Sequence, residues 1–203
     1  MITIIDYGSG NINAFVNAFK RLNIKTKIAR TSDDLADTTK IILPGVGAFD
    51  HVMSSFNRSG MRDIVEKKVL EEKVDVMGIC AGMQILAKSS DEGKESGLGW
   101  INGKVKLFDT SAINYKTKLP HMGWNEISHN GNSLFRGIDY EARFYFVHSY
   151  YFECNEISDS IATTEYGFNF TSAVNKGNVF GVQFHPEKSH QNGQQLLKNF
   201  ATS

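Results

Sequence analysis

The chain has 203 residues, of which 41% are apolar and 22% charged, the profile of a folded chain long enough to bury a substantial core. Lys+Arg and Asp+Glu both count 22, so no basic excess exists to bind a phosphate backbone, and nucleic acid is not an expected partner. The N-terminus, MITIIDYGSGN, lacks the features of a signal peptide, and no apolar run approaches the roughly 20 residues of a membrane span, so a cytoplasmic protein without membrane association is expected.

Residues 2–6 form a short apolar run that ends in Gly8 and Gly10, a strand followed by a turn. Ile12, Phe15, Val16 and Phe19 then fall on one face of a helix. A second strand around Ile28 and a third over residues 40–44 follow. Residues 61–72 have helical character, 75–80 read as a strand, and 82–89 as another helix. This alternation predicts an α/β fold with a mainly parallel sheet between helices. Segments 101–108, 143–152, 160–165, 170–175 and 178–184 are rich in Phe, Tyr, Val, Ile and Thr, which adds antiparallel strands in the second half. A short helix over 194–200 closes the chain. No linker or repeat interrupts it, so one domain over 1–203 is expected.

The sharpest local feature is Gly78-Ile79-Cys80-Ala81-Gly82, a nucleophile-elbow pattern between a predicted strand and a predicted helix. Small neighbours allow the tight turn, and a helix N-terminus favours a thiolate. The second cysteine, Cys154, lies beside Glu153 and Asn155, and a chain of this length does not need a disulfide. A cysteine nucleophile needs a base, and His185 follows the apolar run VFGVQF, with Pro186 to end the strand and Glu187 placed to orient the imidazole. His148 and His121 are rival bases without a carboxylate at suitable spacing. An oxyanion would be met by the backbone N–H of Ala81 and by that of Val46, in the Pro44-Gly45-Val46-Gly47 loop. Gln84, one turn after Cys80, is a candidate ligand for a substrate amide or carboxylate, with an exposed helix residue as the plain alternative. The chain has no CxxC or HxxxH pair, so no metal is expected, and the Gly8-Ser9-Gly10 turn does not fit a phosphate-binding pattern.

In order along the chain stand IDYGSGN (5–11), LPGVGAF (43–49), GICAGMQ (78–84), GLGW (97–100), PHMGWN (120–125), YFVHSYY (145–151), TTEYG (163–167) and GVQFHPEKS (181–189). With these motifs the chain resembles class I, triad-type glutamine amidotransferases, and among them most nearly the glutaminase subunits of imidazole glycerol phosphate synthases. The resemblance implies a Cys80–His185–Glu187 triad, no cofactor, and L-glutamine held by Gly45, Gly47, Gln84, His148 and Ser149. It also implies a (β/α)8-barrel synthase subunit as partner in a heterodimer of histidine biosynthesis, with His121, Met122, Trp124 and Tyr145 near the partner face or ammonia path. Ala81, His190, Ile12 and Ala14 depart from the residues usual in the family. A paralogous amidotransferase that feeds ammonia to a divergent barrel, for amination of a surface-polysaccharide sugar, is the alternative.

Overall fold

The computed structural model describes residues 1–116 and 118–203. The first half delivers the expected alternation: β1 (Ile2–Ile5), α1 (Ile12–Arg21), β2 (Thr26–Ala29), β3 (Lys40–Gly45), α2 (Phe49–Arg58), α3 (Arg62–Glu66, extended by a π-helical turn, Lys67–Glu71), β4 (Asp75–Cys80) and the single turn α4 (Ala81–Gln84). The second half adds β5 (Ser89–Ser90), β6 (Gly103–Leu107), β7 (His121–Glu126), β8 (Ser128–His129), β9 (Arg143–His148), β10 (Tyr150–Cys154), β11 (Ser160–Tyr166), β12 (Phe168–Lys176), β13 (Val179–Val182) and the closing helix α5 (His190–Thr202).

The main sheet runs β2-β1-β3-β4-β13-β12-β10-β6-β5, with β11 paired to β12 and β8. Strands β2, β1, β3, β4 and β13 are mutually parallel, whereas β12, β10 and β11 pair antiparallel. Alternation along the parallel strands sorts apolar side chains to two faces. Ile2, Ile4 and Ile42 pack on one face with Phe15 and Phe19 of α1 and Leu196, Leu197 and Phe200 of α5. Ile41 and Leu43 pack on the other with Val52, Met53 and Phe56 of α2 and Val65 of α3. Each such buried side chain contributes roughly 1.5–3 kcal/mol. No helix among the described residues is long and apolar enough to cross a membrane.

Three of the predicted segments differ from the sequence expectation. The predicted helix 82–89 stops at Gln84, because the Ile85, Leu86 and Ala87 carbonyls accept from Leu98, Ile101 and Gly99 of the GLGW loop instead of continuing a helical ladder. The 143–152 segment is two strands in two sheets: β9 pairs with β7 in a separate antiparallel ribbon, and after Ser149 the chain joins the main sheet as β10. The closing helix starts at His190, earlier than the apolar spacing indicated. Helix α2 had no predicted counterpart.

Candidate active site

Cys80 ends β4 in the centre of the sheet, with φ 55° and ψ −117°, a conformation that costs a non-glycine residue about 1–3 kcal/mol. The glycines around it are required by contact. A Cβ on Gly82 would lie 2.0 Å from the Leu43 carbonyl oxygen, one on Gly45 2.2 Å from the Gly82 nitrogen, and one on Gly78 2.4 Å from the Gly82 oxygen. The elbow therefore rests backbone against backbone on the end of β3, and this support holds Cys80 in its strained conformation. The Ala81 N–H occupies the first position of α4, where helix geometry supplies no acceptor.

Strand β13 lies parallel to β4 with Val182 opposite Ile79, which brings Gln183 beside Cys80 and His185 just beyond it. Pro186 starts a 3-10 turn that returns Glu187 to the imidazole, and His185 Nδ1 meets Glu187 Oε1 at 2.8 Å. Both side chains are buried, at 6% and 2% exposure. Because a carboxylate only accepts, Nδ1 carries the hydrogen and Nε2 is left for the thiol side. The buried Nε2 makes no hydrogen bond to the protein. Burial alone would lower the His185 pKa, but interaction with the Cys80 sulfur and the Glu187 carboxylate outweighs it and raises the value to about 10. Ser189 Oγ donates to the His185 carbonyl and accepts from the Tyr145 N–H, which ties this turn to β9.

A cavity of about 360 Å³ opens at the sulfur, lined by Val46, Gly47, Cys80, Ala81, Gln84, His148, Ser149 and His185 among others. It gathers most of the residues singled out from sequence. Gly45 borders a smaller adjoining space, and Glu187 stands behind the imidazole. His121, Met122 and Trp124 line a separate, larger cavity of about 610 Å³ on the β7–β9 ribbon, which contains no nucleophile; Pro120 borders both. Tyr145 packs edge-on against Trp124 and lies under the Lys188 ammonium, 5.6 Å from its ring centre.

The Val46 N–H does not face this cavity freely. It donates to Ser9 Oγ at 3.0 Å, and the same hydroxyl contacts the Val46 carbonyl at 3.0 Å. Gln84 is buried, not exposed, and both of its N–H groups are used, on the Tyr150 carbonyl at 3.2 Å and Gln183 Oε1 at 3.0 Å. It thus has only Oε1, an acceptor, left to offer a ligand, so it suits an N–H donor and not a carboxylate.

The rival bases are occupied. His148 Nδ1 lies 2.7 Å from the Tyr150 carbonyl, so Nδ1 carries the hydrogen and Nε2 accepts from His121 Nδ1 at 2.9 Å. Asn125 Nδ2 completes the row at His121 Nε2, 3.2 Å away. Burial pushes His121 down to about 4, and burial with the neighbouring His121 pushes His148 to about 3, so both are neutral near pH 7. Sequence reasoning missed Ser9, Gln183 and Glu92. The first two lie inside quoted motifs; Glu92, which lines the cavity and caps α2 through the Phe49 N–H at 2.8 Å, sits in a polar loop that carries no signal.

The family model described as Glutamine amidotransferase class-I matches residues 3–203. The chain is 53% identical, over the full length of both, to the imidazole glycerol phosphate synthase subunit HisH of Leptospira interrogans. It is 55% identical to the protein of the same name from Bdellovibrio bacteriovorus, with 99% of each chain covered. Among solved structures, a glutamine amidotransferase superposes with a TM-score of 0.76 at 22% identity, covering 100% of this chain and 99% of the other. PurLQS from Thermotoga maritima gives 0.73 at 18%, covering 99% and 97%; at these identities both report on the fold alone. An elbow cysteine backed by a His–Glu pair, on this sheet and with these relatives, establishes that the chain belongs to the class-I glutamine amidotransferase family.

Proposed function

We propose that this chain is the glutaminase subunit of an imidazole glycerol phosphate synthase, which hydrolyses L-glutamine and passes ammonia to a cyclase subunit in histidine biosynthesis. The observation that carries the chemistry is the strained Cys80 beside the His185–Glu187 pair in a cavity of about 360 Å³, a size suited to a small ligand. The Cys80 proton rests on His185, whose raised pKa favours the imidazolium, and the thiolate so formed attacks the side-chain carboxamide carbon of glutamine. The tetrahedral intermediate collapses with the proton returned from His185 to the leaving nitrogen, so ammonia departs and a γ-glutamyl thioester remains. Water, deprotonated by the same imidazole, then releases glutamate and restores the thiol. Glu187 holds the imidazole in the tautomer that aims Nε2 at the sulfur.

In this reading Ala81 and Val46 donate to the oxyanion, and the Val46 peptide must leave Ser9 to do so. Gln84 and Glu92 offer acceptors to the ammonium end of the substrate, beside Gly47, His148 and Ser149. The whole chain works as one domain in the cytoplasm, and a (β/α)8-barrel subunit covers the ribbon face. Exposed Met122 and Trp124, with Tyr145 beneath, support that docking surface. The relatives' designation as synthase subunits supports the pathway.

The test is glutamate release from glutamine, with and without the barrel subunit and its phosphoribosyl substrate. Strong stimulation that disappears in Cys80→Ala is the expected outcome. Full activity in Cys80→Ala would refute the nucleophile, and no stimulation by a bound barrel subunit would refute the pathway.

A further inference from the structure

The geometry assigns to Gln183 a positioning role in the glutaminase reaction: its side-chain amide donates an N–H to the Cys80 sulfur, in an orientation fixed by the main-chain carbonyl of Tyr150. The assignment rests on Cys80 being the nucleophile, as proposed above.

Gln183 follows β13 on the strand neighbouring the nucleophile and has no solvent exposure. Its Nε2 lies 3.7 Å from Cys80 Sγ, within range for a hydrogen bond to sulfur. An amide has two ends of similar shape, and nothing about Gln183 alone decides which end meets the sulfur. Its surroundings decide. The Tyr150 carbonyl can only accept, so Gln84 must turn its amino group toward it. The same amino group reaches Gln183 at 3.0 Å, so the Gln183 atom there must be the oxygen. The remaining end of Gln183, the NH2, is then the one that faces Cys80. Reversing it would set two donors against each other at Gln84 and an oxygen against the sulfur. His148 Nδ1 donates to the same Tyr150 carbonyl at 2.7 Å, so the acceptor is anchored from a second direction.

A donor held here does two things for acyl transfer. It stabilises negative charge on sulfur more than a neutral thiol, because hydrogen bonds to ionised acceptors are about twice as strong as neutral ones. It also restrains the Sγ rotamer by engaging one side of the atom. The cavity lining does not include Gln183, so the residue acts through Cys80 and does not contact substrate.

The experiment is Cys80 alkylation by iodoacetamide on the full chain, followed across pH with peptide mapping to separate Cys80 from Cys154, beside thermal melting and the glutaminase assay. Gln183→Met should slow alkylation at pH 7 about tenfold and displace the labelling profile by about one unit toward higher pH, with the plateau rate retained. Gln183→Glu keeps the volume and the acceptor for Gln84 but sets a carboxylate against the sulfur, and should slow labelling at least as much. A purely structural role would lower the melting temperature and leave the profile in place. If Gln183→Met does not fold, Gln183→Glu decides, and an unmoved profile in a folded variant overturns the assignment. Labelling requires no turnover, so the two failures separate. An unmoved profile in an enzyme that needs Cys80 sinks this inference alone, whereas activity surviving Cys80→Ala sinks the proposed function.

Discussion

Removing the Ser9 hydroxyl should raise the resting glutaminase rate. In the structure, Ser9 Oγ engages both the N–H and the carbonyl of Val46 at 3.0 Å, so Ser9→Ala deletes two contacts that favour the turned-away peptide. A typical hydrogen bond contributes about 0.5–1.5 kcal/mol net, so the pair is worth roughly 1–3 kcal/mol. Val46 is 52% exposed, and water will solvate its freed groups, which puts the effect toward the lower half of that range. About 1–2 kcal/mol converts to a rise of roughly 5–30-fold in the fraction of molecules with the N–H available to the oxyanion, and in the unstimulated rate with it. The partner-stimulated rate should change little, so stimulation shrinks by the same factor. Steady-state glutamate release with and without the barrel subunit measures both. An unchanged or lower resting rate in Ser9→Ala, with stimulated activity intact, would refute the claim that this hydroxyl restrains the site.

Gly82→Ala should be among the most damaging single-methyl additions in the chain, because its Cβ would meet the Leu43 carbonyl oxygen at 2.0 Å, and neither backbone can yield without moving β3 from β4. Denaturant unfolding should show a loss of more than about 3 kcal/mol, and a loss under 1 would contradict the backbone-on-backbone reading of the elbow. The His121–His148 pair predicts acid sensitivity. Both imidazoles are held down by burial, to about 4 and about 3, so above the ordinary histidine value both are neutral, folded or unfolded. As pH falls below about 6.5 the unfolded chain gains protons that the folded one refuses, and stability drops until the folded values are passed. The fall in unfolding free energy between pH 7 and pH 4.5 should be smaller in His121→Gln than in wild type; an equal fall would show that the pair does not resist protonation.

Much of the site was legible because its demands are local. A tight elbow needs Gly78, Ala81 and Gly82, and a His–Pro–Glu run contains base, turn and orienter within three residues. The parallel half was legible because one hydrophobic period of two and one of 3.6 suffice to mark strand and helix. What escaped depends on distant partners. Helix 82–89 satisfied every local criterion and was cut short by a loop ten or more residues away that claims its carbonyls. The division of 143–152 between two sheets follows from pairing with β7 and β6, which no pattern within the segment reveals. Glu92 reaches the cavity because it caps α2, 43 residues upstream. The Val46 orientation is set by a serine hydroxyl 37 positions away, and glycine spacing cannot report it.

The chain crosses between its two sheets at Ser149, with His148 ending the ribbon and Tyr150 opening the main-sheet strand. Variation is thereby partitioned. If the outer side chains of the ribbon, Met122 and Trp124 among them, meet the partner as proposed, they can diverge to suit a new neighbour while β4 and the turn after β13 keep Cys80 and His185 in place. Residues at the crossing and along the seam, such as Pro120, Val147 and the Ser189–Tyr145 contact, belong to both territories. A lineage could exchange its acceptor enzyme by accumulating changes on the ribbon without ever passing through an ancestor that had lost the ability to cleave an amide.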